Sequence, residues 1–153
     1  MIPYTDIEHG NELLYTWQGD DGSTRSWAIQ RLADYLKASG KEMLCAELKQ
    51  DQADFFLEAR GIEQHRIKFL LDPANIDHLT VPVIIMRTEY DGKPSDLTLD
   101  GHHRYVALAM LGSERFVLHH LTEEEAEPFE ISGMPKIDMD CLVNSFSGIG
   151  EPS

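Results

Sequence analysis

The sequence predicts a small α/β domain of the mixed α+β kind, a mixed sheet flanked by helices. Three observations predict it. Residues 81–86, VPVIIM, form a Val- and Ile-rich apolar run, the pattern of a strand buried on both faces. From residue 42 onward the segments read strand, helix, helix, strand, hairpin, strand, helix, strand. A glycine turn, DGHHR at residues 100–104, joins a short strand directly to a helix.

Each element has a local reason. Residues 12–18, ELLYTWQ, read as a short strand, and Asp20-Asp21-Gly22 as a turn. Ser23 or Thr24 is placed to cap a helix running to about Ser39. Ile29, Leu32, Ala33 and Leu36 share its apolar face, Trp27 and Tyr35 read as packing residues, and Gly40 stops it. Residues 43–48, MLCAEL, suit a strand, with a helix running into the next segment as the alternative. Residues 51–60 read as a helix with Ala53, Phe56 and Leu57 on one face. Gly61 breaks it, and a second helix over residues 62–71 ends at Asp72-Pro73. A loop, PANIDHLT, leads into the strand at 81–86, with Pro82 near its start. Asp91-Gly92 is a hairpin signal, followed by a polar loop and a brief strand at 97–99. A helix over residues 103–111 is capped by Gly112, and residues 115–120 form the next strand. The expected units are 1–41, an N-terminal strand–helix extension; 42–121, the central domain; and 122–153, an acidic extension.

The composition sets limits. Hydrophobic residues make up 42% of the 153, enough for an ordinary globular core. No apolar run is long enough to span a membrane, and the first residues lack the basic and apolar pattern of a secretory signal. Cys45 and Cys141 have no recognisable spacing and read as reduced thiols, so a cytoplasmic location is expected. The net charge is −14, with half of it in residues 121–153, where eight acids face the single base Lys136. No basic stripe exists to track a nucleic-acid backbone, so DNA is not a favoured partner. A basic protein is a better fit to that acidity. The tail, with Glu123, Glu124, Glu125, Glu127 and several Gly and Pro, reads as an irregular extension dispensable for ligand binding. The alternative is that Phe129, Ile131, Ile137, Leu142 and Val143 pack back onto the sheet.

The chemistry concentrates in LTLDGHHRYVALAMLG. Gly101 permits a sharp turn and lets another backbone or an oxyanion come close. The helix that follows opens with amides lacking intrahelical partners, at the positive end of its dipole. Arg104 adds a planar, permanently charged fork suited to phosphate. Asp100 as a plain helix cap and Arg104 as a surface ion pair are the competing structural roles.

The segment DGHHRYVALAMLG resembles the signature of the ParB/sulfiredoxin superfamily, and MLCAEL, two helices and PANIDHLTVPVIIMR precede it in the expected order. The resemblance covers residues 42–121 and implies a Gly-rich turn that binds nucleotide phosphates. It departs from sulfiredoxins in carrying His102 and His103 where they carry a catalytic cysteine, which argues against sulfinic acid reduction. It lacks the glycine–glutamate–arginine–arginine turn and the DNA-reading domain of partition proteins, which argues against segregation.

On this resemblance the ligand-binding residues are Asp100, Gly101, His102, His103, Arg104 and Tyr105. Glu47, at the end of the first core strand, is a candidate base. His103 can donate to phosphate or shuttle a proton, while His102 reads as solvent-facing. Asp100 is the candidate metal ligand. One of His119 and His120 faces the same site if the strand–helix–strand unit is a right-handed parallel crossover. The leading expectation is an enzyme that binds a nucleoside di- or triphosphate with Mg2+ and transfers or hydrolyses a phosphoryl group, as an NTPase or kinase does. Catalytic roles then fall to Glu47, His103 and Arg104. The runner-up is a non-catalytic module that recognises a nucleotide or phosphorylated small molecule and docks a partner. A nuclease is third.

Overall fold

Alternation of small, β-branched and aromatic residues gives the chain an N-terminal hairpin. The computed structural model describes residues 1–19, 22–59 and 61–135. It opens with β1 (Ile2–Pro3) and one 3-10 turn at Tyr4–Asp6, followed by β2 (Leu14–Gln18) and β3 (Thr24–Ala28), which pair antiparallel. The segment predicted to start a helix at Ser23 or Thr24 is therefore a strand. Its Ser26, Trp27 and Ala28 are fully buried, and Ser26 shares a 2.9 Å hydroxyl bond with Thr16 across the hairpin. Helix α1 (Ile29–Ser39) begins only after it, burying Ile29, Leu32 and Leu36 at helical spacing and ending at Gly40.

Next come β4 (Leu44–Glu47), α2 (Gln50–Ala59) and α3 (Gln64–Leu71). The predicted loop at 73–80 is wound into 3-10 turns over Pro73–Thr80, capped where Asp72 accepts from the Ala74 amide at 3.0 Å. Then follow β5 (Val83–Tyr90), β6 (Lys93–Asp100), α4 (His102–Met110) and β7 (Arg115–Thr122). No polar loop separates Asp91-Gly92 from the next strand: β5 and β6 run together from Tyr90 opposite Lys93. Pro94 is tolerated because β6 is an edge strand.

The main sheet has the order β4-β7-β5-β6, with β5 and β7 parallel and the other pairs antiparallel. It is mixed, and helices cover both faces. On one face Ile84, Met86, Leu97, Leu99 and Leu121 meet α1 and Trp27. On the other, Val83, Phe116 and Leu118 meet Ala53 and Phe56 of α2, Ile67 of α3, and Tyr105 and Val106 of α4. Burial on both sides explains why Val83, Ile84, Ile85 and Met86, the first half of β5, are successively apolar.

The expected irregular extension after residue 121 is corrected over its described part. Thr122 makes a capping box with Glu125 to start α5 (Glu123–Ala126), a 3-10 turn spans Glu127–Phe129, and β8 (Ile131–Ser132) pairs parallel with β1. Ala126 and Ile131 are buried, and Phe129 packs against the α1 face. Three acids of this segment have basic partners: Glu125 meets Lys41 at 2.7 Å, and Glu123 and Glu130 each meet Arg25 at 2.8 Å. The predicted turn residues Asp20 and Asp21, with Cys141, Ile137, Leu142 and Val143, lie outside the described residues. None of the described helices is long and apolar enough to cross a membrane.

Candidate anion-binding cleft at the start of helix α4

Strand β6 delivers the turn through a register shift: Asp100 lies opposite Ile84, whereas Thr98 lies opposite Ile85. Such irregularities re-aim the chain at a sheet end. Gly101 follows with φ +105° and serves as the N-cap of α4, and no side chain caps the helix. The first turn of α4 contains no acidic residue. The amide of Tyr105 bonds Gly101 O at 2.9 Å, so the amides of residues 102–104 precede the first intrahelical bond. What comes close to Gly101 is a neighbouring strand: a Cβ there would stand 2.9 Å from Val83 Cγ2 and 3.1 Å from Val83 Cα.

Arg104 is tied into the turn. Its Nη2 donates to Pro82 O and to Asp100 Oδ2, both at 3.1 Å. Asp100 is thus an ion-pair partner rather than a cap, and both side chains are largely buried. The guanidinium Nε is buried with no partner among the described residues, an N–H that an acceptor would satisfy. Arg104→Ala is expected to cost about 1–3 kcal/mol of stability, since it leaves Asp100 and the Pro82 carbonyl without their donor. Urea denaturation reads that cost. An unchanged midpoint would mean that the two bonds contribute nothing to the fold.

The two histidines have separate tasks. The ring of His102 stacks on Tyr15 (5.6 Å between centroids) and meets the edge of Phe56 (4.8 Å), so it is held between aromatic neighbours instead of facing solvent. His103 Nε2 accepts from the backbone amide of Glu63 at 3.0 Å, which requires a neutral ring with its proton on Nδ1. Burial, then the charge of Arg66, hold the His103 pKa below the ordinary 6.5. The sign follows: the bond's contribution is complete above 6.5 and is lost as pH falls through the lowered folded-state value. The protection of the Glu63 amide, relative to its intrinsic exchange rate, should therefore fall as pH drops below the ordinary histidine range. In His103→Phe the loosening should be present at every pH. Equal protection of Glu63 in both proteins would refute the latch.

These groups line a cleft of about 890 Å3 bounded by the β2 segment, the α2–α3 connection, α3, the 3-10 segment and the turn. Among the described residues it gathers Arg66 and Arg104 with His65, His78, His102 and His103, against the carboxylates Glu63 and Asp100. Asp100 is engaged by Arg104, and Glu63 lies 3.1 Å from His65.

The remaining candidates lie elsewhere. Tyr105 is buried, and its hydroxyl takes the Lys49 amide proton at 2.8 Å. Glu47 sits opposite Arg115 at the end of β4 and lines a second cavity of about 580 Å3 with Tyr105 and His120. The two cavities share no lining residue. Strands β6 and β7 run antiparallel to each other, so the condition that placed His119 and His120 at the turn is not met. His119 bonds Glu42 O, and His120 bonds Asp96, each at 3.0 Å. His103 and Arg104 are thus brought together, and Glu47 is not. Sequence reasoning missed Tyr15, Glu63, His65, Arg66 and His78. No local motif marks them, because three separate segments supply them.

No family model matches the chain, and no curated protein matches it. A solved structure, that of sulfiredoxin from Arabidopsis thaliana, is similar to part of it. The identity is 24%, the match covers 56% of this chain and 94% of that one, and the TM-score is 0.36. A superposition that loose supports neither a shared activity nor membership of a family.

Proposed function

We propose that the cleft binds the phosphoryl group of a small molecule. The observation that carries this is the set of donors. Among the described residues one cleft collects two arginines and four histidines, beside two carboxylates that already have partners, around an uncapped helix start. Helix-start amides, a guanidinium and a neutral imidazole with its proton on Nδ1 are the donors an oxyanion requires. A nucleoside di- or triphosphate is the ligand class that the sequence resemblance implies.

Binding is better supported than turnover. Both lining carboxylates already have partners, and Glu47 belongs to the other cavity. Phosphoryl transfer or NTP hydrolysis is the second reading, with His103 handling a proton through Nδ1. Among the described residues no three His, Cys, Asp or Glu side chains stand together as metal ligands, and Asp100 faces a guanidinium. These donors do not fit a resident divalent ion. Mg2+ enters the proposal only as a companion of the ligand's own oxygens. A nuclease would need a basic track that this composition does not supply.

Titration calorimetry with pyrophosphate and with nucleotides, with and without Mg2+, tests the reading. Saturable binding that weakens with salt is expected, and Arg66→Ala should weaken it about tenfold. Absence of binding to every phosphate compound would end it. Phosphate release in the same samples would favour the enzyme over the binding module.

A further inference from the structure

The lining of the cleft is apolar as well as polar. Leu13 is 50% exposed, Phe69 48% and Val81 46%, and all three line the same cleft. Single exposed apolar side chains are ordinary. Three brought into one concavity from the approach to β2, from α3 and from the entry to β5 form a wall. The volume of about 890 Å3 leaves room for far more than a phosphate.

The hydrogen-bonding side chains among the described residues of the cleft are two arginines, four histidines, two carboxylates, Tyr15 and Thr16, and Leu13, Phe69 and Val81 add none. Among the described residues no Ser, Asn or Gln lines the cleft, and the hydroxyl of Thr16 is already shared with Ser26 at 2.9 Å. A polyhydroxylated body would lose its water against Leu13, Phe69 and Val81 without side-chain replacements, at a cost for each unpaired group. A hydrocarbon body would gain from the same wall.

We infer that the cleft selects a soluble phosphate monoester with a hydrocarbon body, aliphatic or aromatic, over one whose body is a sugar. The inference rests on the phosphate-binding reading and narrows it to a body other than the nucleoside that the sequence resemblance implies. The phosphate lies at the start of α4, and the hydrocarbon lies along Leu13, Phe69 and Val81. A phospholipid headgroup presents the same chemistry, but a chain of charge −14 is repelled by an anionic membrane surface, so the ligand is a free molecule.

The test is calorimetry on the full chain with inorganic phosphate, then methyl, butyl, hexyl and phenyl phosphate, with glucose 6-phosphate as the polar body. Affinity should rise about two- to fourfold per added methylene, and glucose 6-phosphate should bind no better than methyl phosphate. Phe69→Ala should lower the affinity for hexyl phosphate about tenfold and leave inorganic phosphate unchanged. Leu13→Ser provides the same comparison if Phe69→Ala does not fold, and the ligand series itself needs no variant. Flat affinity along the series, with phosphate bound, would overturn the hydrocarbon wall and leave the phosphate site standing. Binding of none of these compounds would remove both. Co-sedimentation with phosphatidic acid vesicles, tighter than binding of hexyl phosphate, would overturn the assignment to a free molecule.

Discussion

Gly101→Val is expected to lower the unfolding free energy by about 3–5 kcal/mol. Two costs combine. The backbone at Gly101 has φ +105°, where a β-branched side chain is strained. A Cβ there also stands 2.9 Å from Val83 Cγ2 and 3.1 Å from Val83 Cα. Val83 cannot retreat, because it is almost fully buried in the central strand β5. Gly112 is the control: its φ is +76°, and nothing lies within 4 Å of a Cβ built on it. Gly112→Ala should cost only about 1–2 kcal/mol. Urea denaturation of both variants separates them, and equal midpoints would show that the turn is not wedged against β5. The same contact bears on the cleft. Displacing Gly101 from Val83 would also displace Asp100 and Arg104, whose bond spans that glycine.

Arg25→Ala should cost about 2–4 kcal/mol and release the segment after residue 122 from the hairpin. Arg25 donates from Nε and Nη2 to the two oxygens of Glu130 at 3.0 and 2.8 Å, and from Nη1 to Glu123 at 2.8 Å. Its guanidinium lies 4.9 Å from the centroid of the Trp27 ring. Glu130 is mostly buried, so removing the arginine leaves a carboxylate with neither its fork nor full hydration. Half-exposed Glu123 is the weaker arm. Limited proteolysis should then cut within residues 123–132 of the variant and spare them in the native chain. Unchanged stability and cleavage would mean that β1–β8 pairing and apolar packing hold the segment alone. The network also has a pH signature. The Thr88 hydroxyl, then Arg25, hold the Glu123 carboxyl below the ordinary carboxylate range. Its stabilisation is complete above that range and is lost as pH falls through the lowered value.

What was legible in the sequence was what neighbouring residues decide. The run at Val83, Ile84, Ile85 and Met86 announced a buried strand because both faces of β5 are covered. The spacing of Ile29, Leu32 and Leu36 announced α1. Its start did not show, because Ser23 and Thr24 imitate a cap while the true N-cap, Ala28, provides no side-chain bond. The C-terminal segment was misread for a longer-range reason. Glu123 and Glu130 find Arg25 98 and 105 residues away, and Glu125 finds Lys41 84 residues away. Composition registers the acids but not their partners. The cleft divides the same way. Residues 100–104 form a contiguous turn and could be read. Tyr15, Arg66 and His78 reach it only through the packing of the hairpin, α3 and the 3-10 segment around α4. Glu47 illustrates the converse, a plausible position in the chain that packing assigns to another cavity.

The most direct test of the phosphate site is a titration of the 15N-labelled chain with pyrophosphate, followed at the backbone amides. Saturable shifts should concentrate at Gly101, His102, His103 and Arg104, with smaller ones at Arg66, and should weaken as salt is added. Shifts confined to the second cavity, around Glu47 and His120, or no saturable shift at the start of α4, would contradict the account.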